Sequence, residues 1–335
     1  MPGNRQIIVR ELPKGTLAES HFELREADRP VPGEGEALIR TILMSIDAAN
    51  RAWMQGATYR EAVKAGDVMH TYAIGEVVES KDASLAAGDL VAVESRWADY
   101  VTVKARRARK LPRVRPLSHL ISVFGIAGKT AYHGLIGVGR PQAGETVVVS
   151  AAAGSVGMYV GQIAKALGCR AVGIAGGAEK CAWVTKALGF DACVDYRAGN
   201  LFKDLKSACP DGIDVYFDNV GGNILETALF QMNLKGRVVC CGSVSQYDSS
   251  APSGPRNVPG MIVVKRLRME GFIVMDFARD DAKAETDLQR WVAEGKLKVV
   301  EDIVEGLENA PRALIGLLAG DNRGKRMVRV APDPG

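Results

Sequence analysis

No cysteine precedes Cys169, histidine occurs only four times, and aromatic residues make up 6% of the chain. The six cysteines (Cys169, Cys181, Cys193, Cys209, Cys240 and Cys241) lie inside strand-like or helical patterns with no C-x-x-C pair, so reduced, mostly buried thiols are expected. His21, His70, His119 and His133 are isolated and distant from the cysteines. That spacing speaks against a zinc site, and no metal is expected. No apolar stretch approaches the roughly twenty residues of a membrane span. The opening residues, MPGNRQIIVREL, lack the apolar core of a signal peptide, and a cytoplasmic protein is expected. Charge of one sign is scarce too: 43 Lys plus Arg against 39 Asp plus Glu leaves +4, too little and too scattered for a nucleic-acid partner. Only Lys104 to Arg115 (KARRARKLPRVR) is strongly basic, and its position between a strand-like run and an apolar helix reads as a solvated face.

What is present suits a soluble protein of two domains: 335 residues, 47% of them hydrophobic. The stretch the chain is organised around is Glu145 to Gly168, ETVVVSAAAGSVGMYVGQIAKALG. Val147, Val148 and Val149 form the unbroken β-branched run of a parallel strand buried on both faces. Ala152, Gly154 and Gly157 then occupy the small positions of a G-x-G-x-x-G fingerprint, with Ala in the first place, so that backbone can approach a pyrophosphate at a helix N-terminus. A helical pattern follows, with Val156, Val160, Ile163, Ala164 and Leu167 on one face.

Before this stretch, short strand-like runs separated by Gly and Pro (Gln6 to Val9, Phe22 to Arg25, Ala37 to Met44, Gly75 to Val78, Leu90 to Val93, Tyr100 to Val103) predict a β-rich, barrel-like domain. Residues 45 to 70 are less regular and hold Trp53, Met54 and Tyr59, as a substrate lid or as core. A helix is expected over Leu117 to Ile136, interrupted by Gly125 and Gly128. After it, strands and helices alternate to give six strands, the last Arg268 to Met275, which fits a doubly wound parallel sheet with ligands at the carboxyl ends of its strands. The Ser-, Pro- and Gly-rich segment Val244 to Asn257 is long enough to cover a pocket. A closing strand, Arg326 to Val330, is expected to return to the first domain, placing residues 1–120 and 298–335 in one domain and 121–297 in the other. At the second strand's tip, Gly176-Gly177-Ala178-Glu179-Lys180 offers a lysine to a phosphate and no acidic residue at the tip itself, which favours NADP over NAD; Glu179 is the counter-indication.

The stretches GKTAYHGL (128–135), AAAGSVG (151–157), AGGAEKC (175–181), DNVGG (218–222), CGSVSQY (241–247), MEGF (269–272), EGLENAP (305–311) and GDNRGK (320–325) resemble the zinc-independent medium-chain dehydrogenases/reductases, in the prostaglandin reductase and curcumin reductase branch. The resemblance covers nearly the whole chain. It implies a Rossmann domain with six parallel strands and a GroES-like β-rich domain. It also implies NADPH held by Ala152, Ala153, Gly154, Ser155, Val156 and Gly157 at the pyrophosphate, Lys180 and Tyr196 at the adenosine phosphate, and Asn219. Cys241, Gly242, Ser243, Tyr247, Phe272, Ile273, Val274 and Asn322 would line the nicotinamide half. The implied reaction is reduction of the double bond of α,β-unsaturated ketones and aldehydes, hydride going to the β-carbon, with Tyr247 and Tyr59 at positions of candidate proton donors. Quinone reduction and a non-catalytic NADPH-binding role remain alternatives. A homodimer joined through the last strand, Phe272 to Met275, is expected. Two departures touch the implied active-site side: Asp47-Ala48-Ala49-Asn50-Arg51 where the branch has D-P-Y-M-R, and Gly125-Ile126-Ala127-Gly128 where it has G-M-P-G.

Overall fold

The structure is a computed structural model describing residues 3–248 and 254–334. Two units divide it. One comprises the chain to Ile121, then Glu301–Asp321 and the chain from Arg326; the other comprises Ser122–Val300 and Asn322–Lys325.

The first unit starts with a two-stranded antiparallel ribbon, β1 (Asn4–Val9) and β2 (Phe22–Ala27). It continues through β3 (Glu36–Ser45), the short helix α1 (Ala49–Ala52), β4 (His70–Ser80), β5 (Leu90–Arg96), β6 (Tyr100–Lys104) and β7 (Arg109–Lys110). In the second unit α2 (Ile126–Tyr132) leads to β8 (Thr146–Ser150), α3 (Gly157–Ala166), β9 (Arg170–Ala175), α4 (Ala178–Leu188) and β10 (Ala192–Asp195). There follow α5 (Leu201–Ala208), β11 (Ile213–Asp218), α6 (Gly222–Gln231), β12 (Met232–Cys240), α7 (Val258–Lys265), β13 (Arg268–Gly271) and α8 (Asp281–Ala293). The chain then supplies β14 (Glu301–Glu305), α9 (Ala310–Ala319) and β15 (Lys325–Arg329), and the first unit's main sheet has the order β14-β15-β3-β4-β5-β7, with β6 on β3.

The second unit's sheet is parallel and six-stranded, in the order β10-β9-β8-β11-β12-β13. The valines of β8 explain the burial of both faces. Val147 and Val149 enter a core with α3, α4 and α8 (Val160, Val184, Leu288), whereas Val148 enters another with α5 and α6 (Leu205, Leu229). The antiparallel sheet of the first unit and the parallel Rossmann sheet of the second are the two kinds of sheet the sequence predicts. The basic run is a solvated face: Lys104, Arg106, Arg107, Arg109, Lys110, Arg113 and Arg115 are all exposed.

Three local expectations are corrected. The helix over Leu117 to Ile136 is broken into a 3-10 turn (Leu117–Leu120), α2 and a π-helical turn (His133–Gly139). Gly128 is the reason, since a Cβ there would stand 1.8 Å from the Val123 carbonyl oxygen, a fold-back that a continuous helix forbids. The last strand stops at Gly271 rather than Met275, and Val274–Asp280 is a 3-10 helix. Its backbone leaves the ladder because the Phe272 ring docks edge-on to Phe217, centroids 6.2 Å apart, over Gly134, where a Cβ would lie 2.5 Å from the ring. Finally, Trp53 and Met54 are 7% and 3% exposed and belong to the first unit's core with Ile7, Val9 and Leu314, not to a lid.

His70 lies on β4. Burial, then the positive charges of Arg96 and Arg60, against a weaker pull from Asp67, lower its pKa to about 4. The unfolded chain therefore takes up the His70 proton first, so stability falls as pH drops from about 6.5 towards 4. His70→Asn, which keeps an acceptor for Arg96, removes that contribution. Thermal melts of the two proteins should coincide in shape above pH 7 and diverge below it, with the wild type losing more.

Candidate cofactor site

Because the six strands run in parallel, every segment leaving a carboxyl end emerges on one rim of the sheet. That rim carries Ala152 to Gly157 after β8, Gly176 to Lys180 after β9, Tyr196 after β10, Asn219 after β11, Cys241 to Tyr247 after β12 and Phe272 to Val274 after β13. The helices change face between β8 and β11, and the strand ends are tied together at that crevice. Asn219 N–H donates to Ser150 Oγ at 2.8 Å and its amide group to the Ser150 carbonyl at 2.8 Å. Ser150 Oγ in turn donates to Asp218 Oδ1 at 3.2 Å, which also accepts from the Tyr216 hydroxyl (2.9 Å), Gly221 N–H (3.0 Å) and Val220 N–H (3.1 Å). Burial raises the Asp218 pKa against the opposing pull of these donors. Four donors on one oxygen fix the β11 end, and with it Asn219.

The phosphate loop is shaped by close packing. Ala151 has φ +52 and its carbonyl accepts from Gly154 N–H at 2.9 Å. A Cβ on Gly157 would lie 2.3 Å from that carbonyl oxygen, so only glycine lets α3 begin this close to the turn. The alanine in the fingerprint's first place has a specific counterpart: its methyl occupies the space left by Gly173 on β9, where a Cβ would meet Ala152 Cβ at 2.7 Å. Ser155 Oγ is buried without a hydrogen-bond partner in this loop. An orphaned hydroxyl beside a helix N-terminus is what a bound phosphate satisfies, so the residues fit NADP at its pyrophosphate.

Residues far along the chain close on the same loop. Gly324 N–H donates to the Ala153 carbonyl at 2.9 Å, and Gly324 pairs with Gly154 in a parallel bridge. This docking sets Asn322 beside the β9 rim, where its carbonyl accepts from Lys180 Nζ at 2.8 Å. Glu179, the residue that speaks for NAD, is engaged by Arg323 at the surface. Lys180, Asn322 and the phosphate loop are thus brought together. Tyr196, 40% exposed, lies over Gly176, where a Cβ would come within 3.0 Å of its hydroxyl. Arg197 joins it, its Nε 2.9 Å from the same position, while Asp195 accepts from the N–H groups of Gly177 (2.7 Å) and Arg197 (2.9 Å). Arg197 thus stands beside Tyr196 at the rim, one residue further along the chain.

Residues 5–111 match the family described as the N-terminal domain of oxidoreductase, and residues 155–291 that described as zinc-binding dehydrogenase. The NADPH-dependent curcumin reductase of Escherichia coli strain K12 is 41% identical over 98% of both chains. Prostaglandin reductase 1 of Rattus norvegicus is 41% identical over 94% of this chain and 96% of its own. The chain belongs to the medium-chain dehydrogenase/reductase family, in the curcumin and prostaglandin reductase branch. Among solved structures, CurA from Vibrio vulnificus in complex with NADPH is 37% identical with a TM-score of 0.94, covering 98% of this chain and 100% of that one. Despite the zinc-binding description of the second match, no group of three or more His, Cys, Asp or Glu among the described residues is arranged to hold a metal ion.

Within this family fold the remaining expected residues are spread unevenly. Tyr247 folds back so that its hydroxyl accepts from Ser243 N–H at 3.2 Å, above Gly242. Burial pushes the Cys241 thiol up to about 12, which leaves it protonated. Phe272 is bound into the core by Phe217 and Phe277, and Ile273 and Val274 are half-buried. Of the segment 244–257, residues 249–253 lie outside the described residues. Tyr59, in the other unit, is 52% exposed and edge-on to Trp53 at 6.4 Å. The DAANR departure turns inward: Asn50 donates to the His70 carbonyl at 2.8 Å, and Arg51 to the Gly15 carbonyl at 2.9 Å.

The Ala152–Gly173 contact is testable by a double-mutant cycle. Gly173→Ala should destabilise by about 1–3 kcal/mol through overpacking and weaken NADPH binding. Adding Ala152→Gly should restore part of both, because Val184 and Phe190 also crowd the new methyl. Additive losses in urea melts would contradict the shared-space account.

Proposed function

We propose that this protein uses NADPH to reduce the carbon–carbon double bond of α,β-unsaturated ketones and aldehydes. The reading is carried by the phosphate loop with its orphaned Ser155 hydroxyl, in a chain 41% identical to an NADPH-dependent curcumin reductase. Ala152 to Gly157 hold the pyrophosphate; Lys180 and Tyr196, with Arg197 beside them, take the adenosine phosphate. Asn219, Cys241 to Ser243, Tyr247, Phe272 to Val274 and Asn322 border the nicotinamide half. The bound cofactor supplies the hydride that adds to the β-carbon, leaving an enolate that is protonated at the α-carbon.

The protein's part is to orient the substrate and stabilise charge on the carbonyl oxygen. Tyr247 suits that role: its oxygen accepts from Ser243 N–H, which leaves its own O–H to donate outward. Tyr59 is the second candidate donor. Substrate choice falls to the irregular segment 45 to 70, less Trp53 and Met54, which serve the core, and to the loop 242 to 257.

A panel of enones and quinones assayed with NADPH and NADH, with mass analysis of products, tests this. NADPH oxidation with release of the saturated ketone is expected. The alcohol alone, turnover of quinones only, or binding without turnover would each refute it. Tyr247→Phe should lower kcat by up to about a hundred-fold and change the KM for NADPH far less.

We also infer a homodimer in the cytoplasm. The six free thiols agree with a reducing compartment. Support for the dimer comes from β13, an edge strand, and from Val263 and Val264 on α7, which are 72% and 69% exposed. Light scattering should give twice the chain mass, and Val263→Lys with Val264→Lys should halve it.

A further inference from the structure

Two cysteines meet at a place the reduction reaction leaves unused. Cys181 closes the first turn of α4, Cys193 lies in β10, and Cys193 Sγ–H donates to Cys181 Sγ across 2.8 Å. Cys181 is itself buried, at 8% exposure, so it is contact with a second sulfur that sets the pair apart: burial raises Cys169, takes Cys209 and Cys240 to about 11, and Cys241 to about 12. Cys181 shifts the opposite way, chiefly because Cys193 donates to it, whereas the Cys193 thiol holds its proton more tightly for the same reason. A hydrogen-bonded sulfur at a helix N-terminus, with a second thiol in contact, is the arrangement of an attacking and a resolving cysteine.

We propose that Cys181 and Cys193 are a redox pair that closes a reversible disulfide on reaction with hydrogen peroxide or an alkyl hydroperoxide. The Cys181 thiolate attacks a peroxide oxygen; an S–O bond forms, the O–O bond breaks, and the leaving hydroxide or alkoxide takes up the proton that Cys181 lost on ionising, so that water or an alcohol departs. Cys193 sulfur then attacks the Cys181 sulfenic acid; the S–S bond forms, the S–O bond breaks, and water leaves with the Cys193 proton. The two thiols lose two electrons and the peroxide gains them. A dithiol reverses the change by exchange.

The pair sits between the two segments that frame the adenosine phosphate. Lys180 immediately precedes Cys181, and Asp195, two residues after Cys193, holds the N–H groups of Gly177 and Arg197. Bond formation brings the sulfurs to about 2.05 Å, drawing the first turn of α4 and Lys180 towards β10. Resting here on the NADPH reading, the oxidised protein binds NADPH at least about five-fold more weakly than the reduced one.

The test treats the full chain with one equivalent of hydrogen peroxide, then measures intact mass and maps non-reduced peptides before and after dithiothreitol. The expected result is loss of two hydrogens, a Cys181–Cys193 linked peptide and full reversal, with no such change in Cys181→Ser or Cys193→Ser. Absence of the linked peptide in the wild type, or sulfinic acid at Cys181 in its place, overturns the pair. Fluorescence titration with NADPH follows. Equal affinity of the linked and reduced forms overturns the coupling to cofactor. No NADPH binding by the reduced form refutes the cofactor reading, and with it the coupling, while the linked peptide still decides the disulfide.

Discussion

Three backbones converge at the end of β8, and the rest of the cofactor unit is set by how closely they approach. The Ala152 methyl fills the gap left by Gly173, and α3 can start at Gly157 only because no Cβ separates it from the Ala151 carbonyl. Neither contact has slack, since a packed interior transmits a displacement rather than absorbing it. The β9 end and the docked return segment at Gly324 are both hydrogen-bonded to this turn.

The crevice beside it depends on polar contacts of the same tightness. Asp218 is 3% exposed, a costly place for a carboxyl group, and the donors gathered on its Oδ1 offset that cost. Ser150 links the two sides by donating to Asp218 and accepting from Asn219. Asn219 is therefore held by a relay beginning in the phosphate strand itself. Tyr247 is placed more locally, by its hydroxyl accepting from Ser243 N–H and its own N–H donating to the Val244 carbonyl.

Periodicity and turn chemistry carried much of this. The valines of β8, the alternation of strands and helices and the small-residue turn are local signals, because a parallel strand buried on both faces admits little besides β-branched apolar residues. Other features depend on residues distant in sequence. Nothing near Trp53 distinguishes a lid from a core position, and its burial follows from β1 and α9 packing over it. Nor does the run from Arg268 to Met275 mark its own end, since the strand stops where Phe272 finds Phe217 and Gly134.

By itself the sequence determined the parallel sheet and the strand–turn–helix unit with its small-residue turn, because each rests on neighbours within a few residues. Only the tertiary structure decided that Ala152 is matched by Gly173, that Asn322 stands beside Lys180, that Glu179 is occupied by Arg323, and that Cys181 faces Cys193. The reason is physical. A residue's local conformation follows from its own side chain and those a few places away, but the partner that fills its space or takes its proton is chosen by the packing of the whole chain.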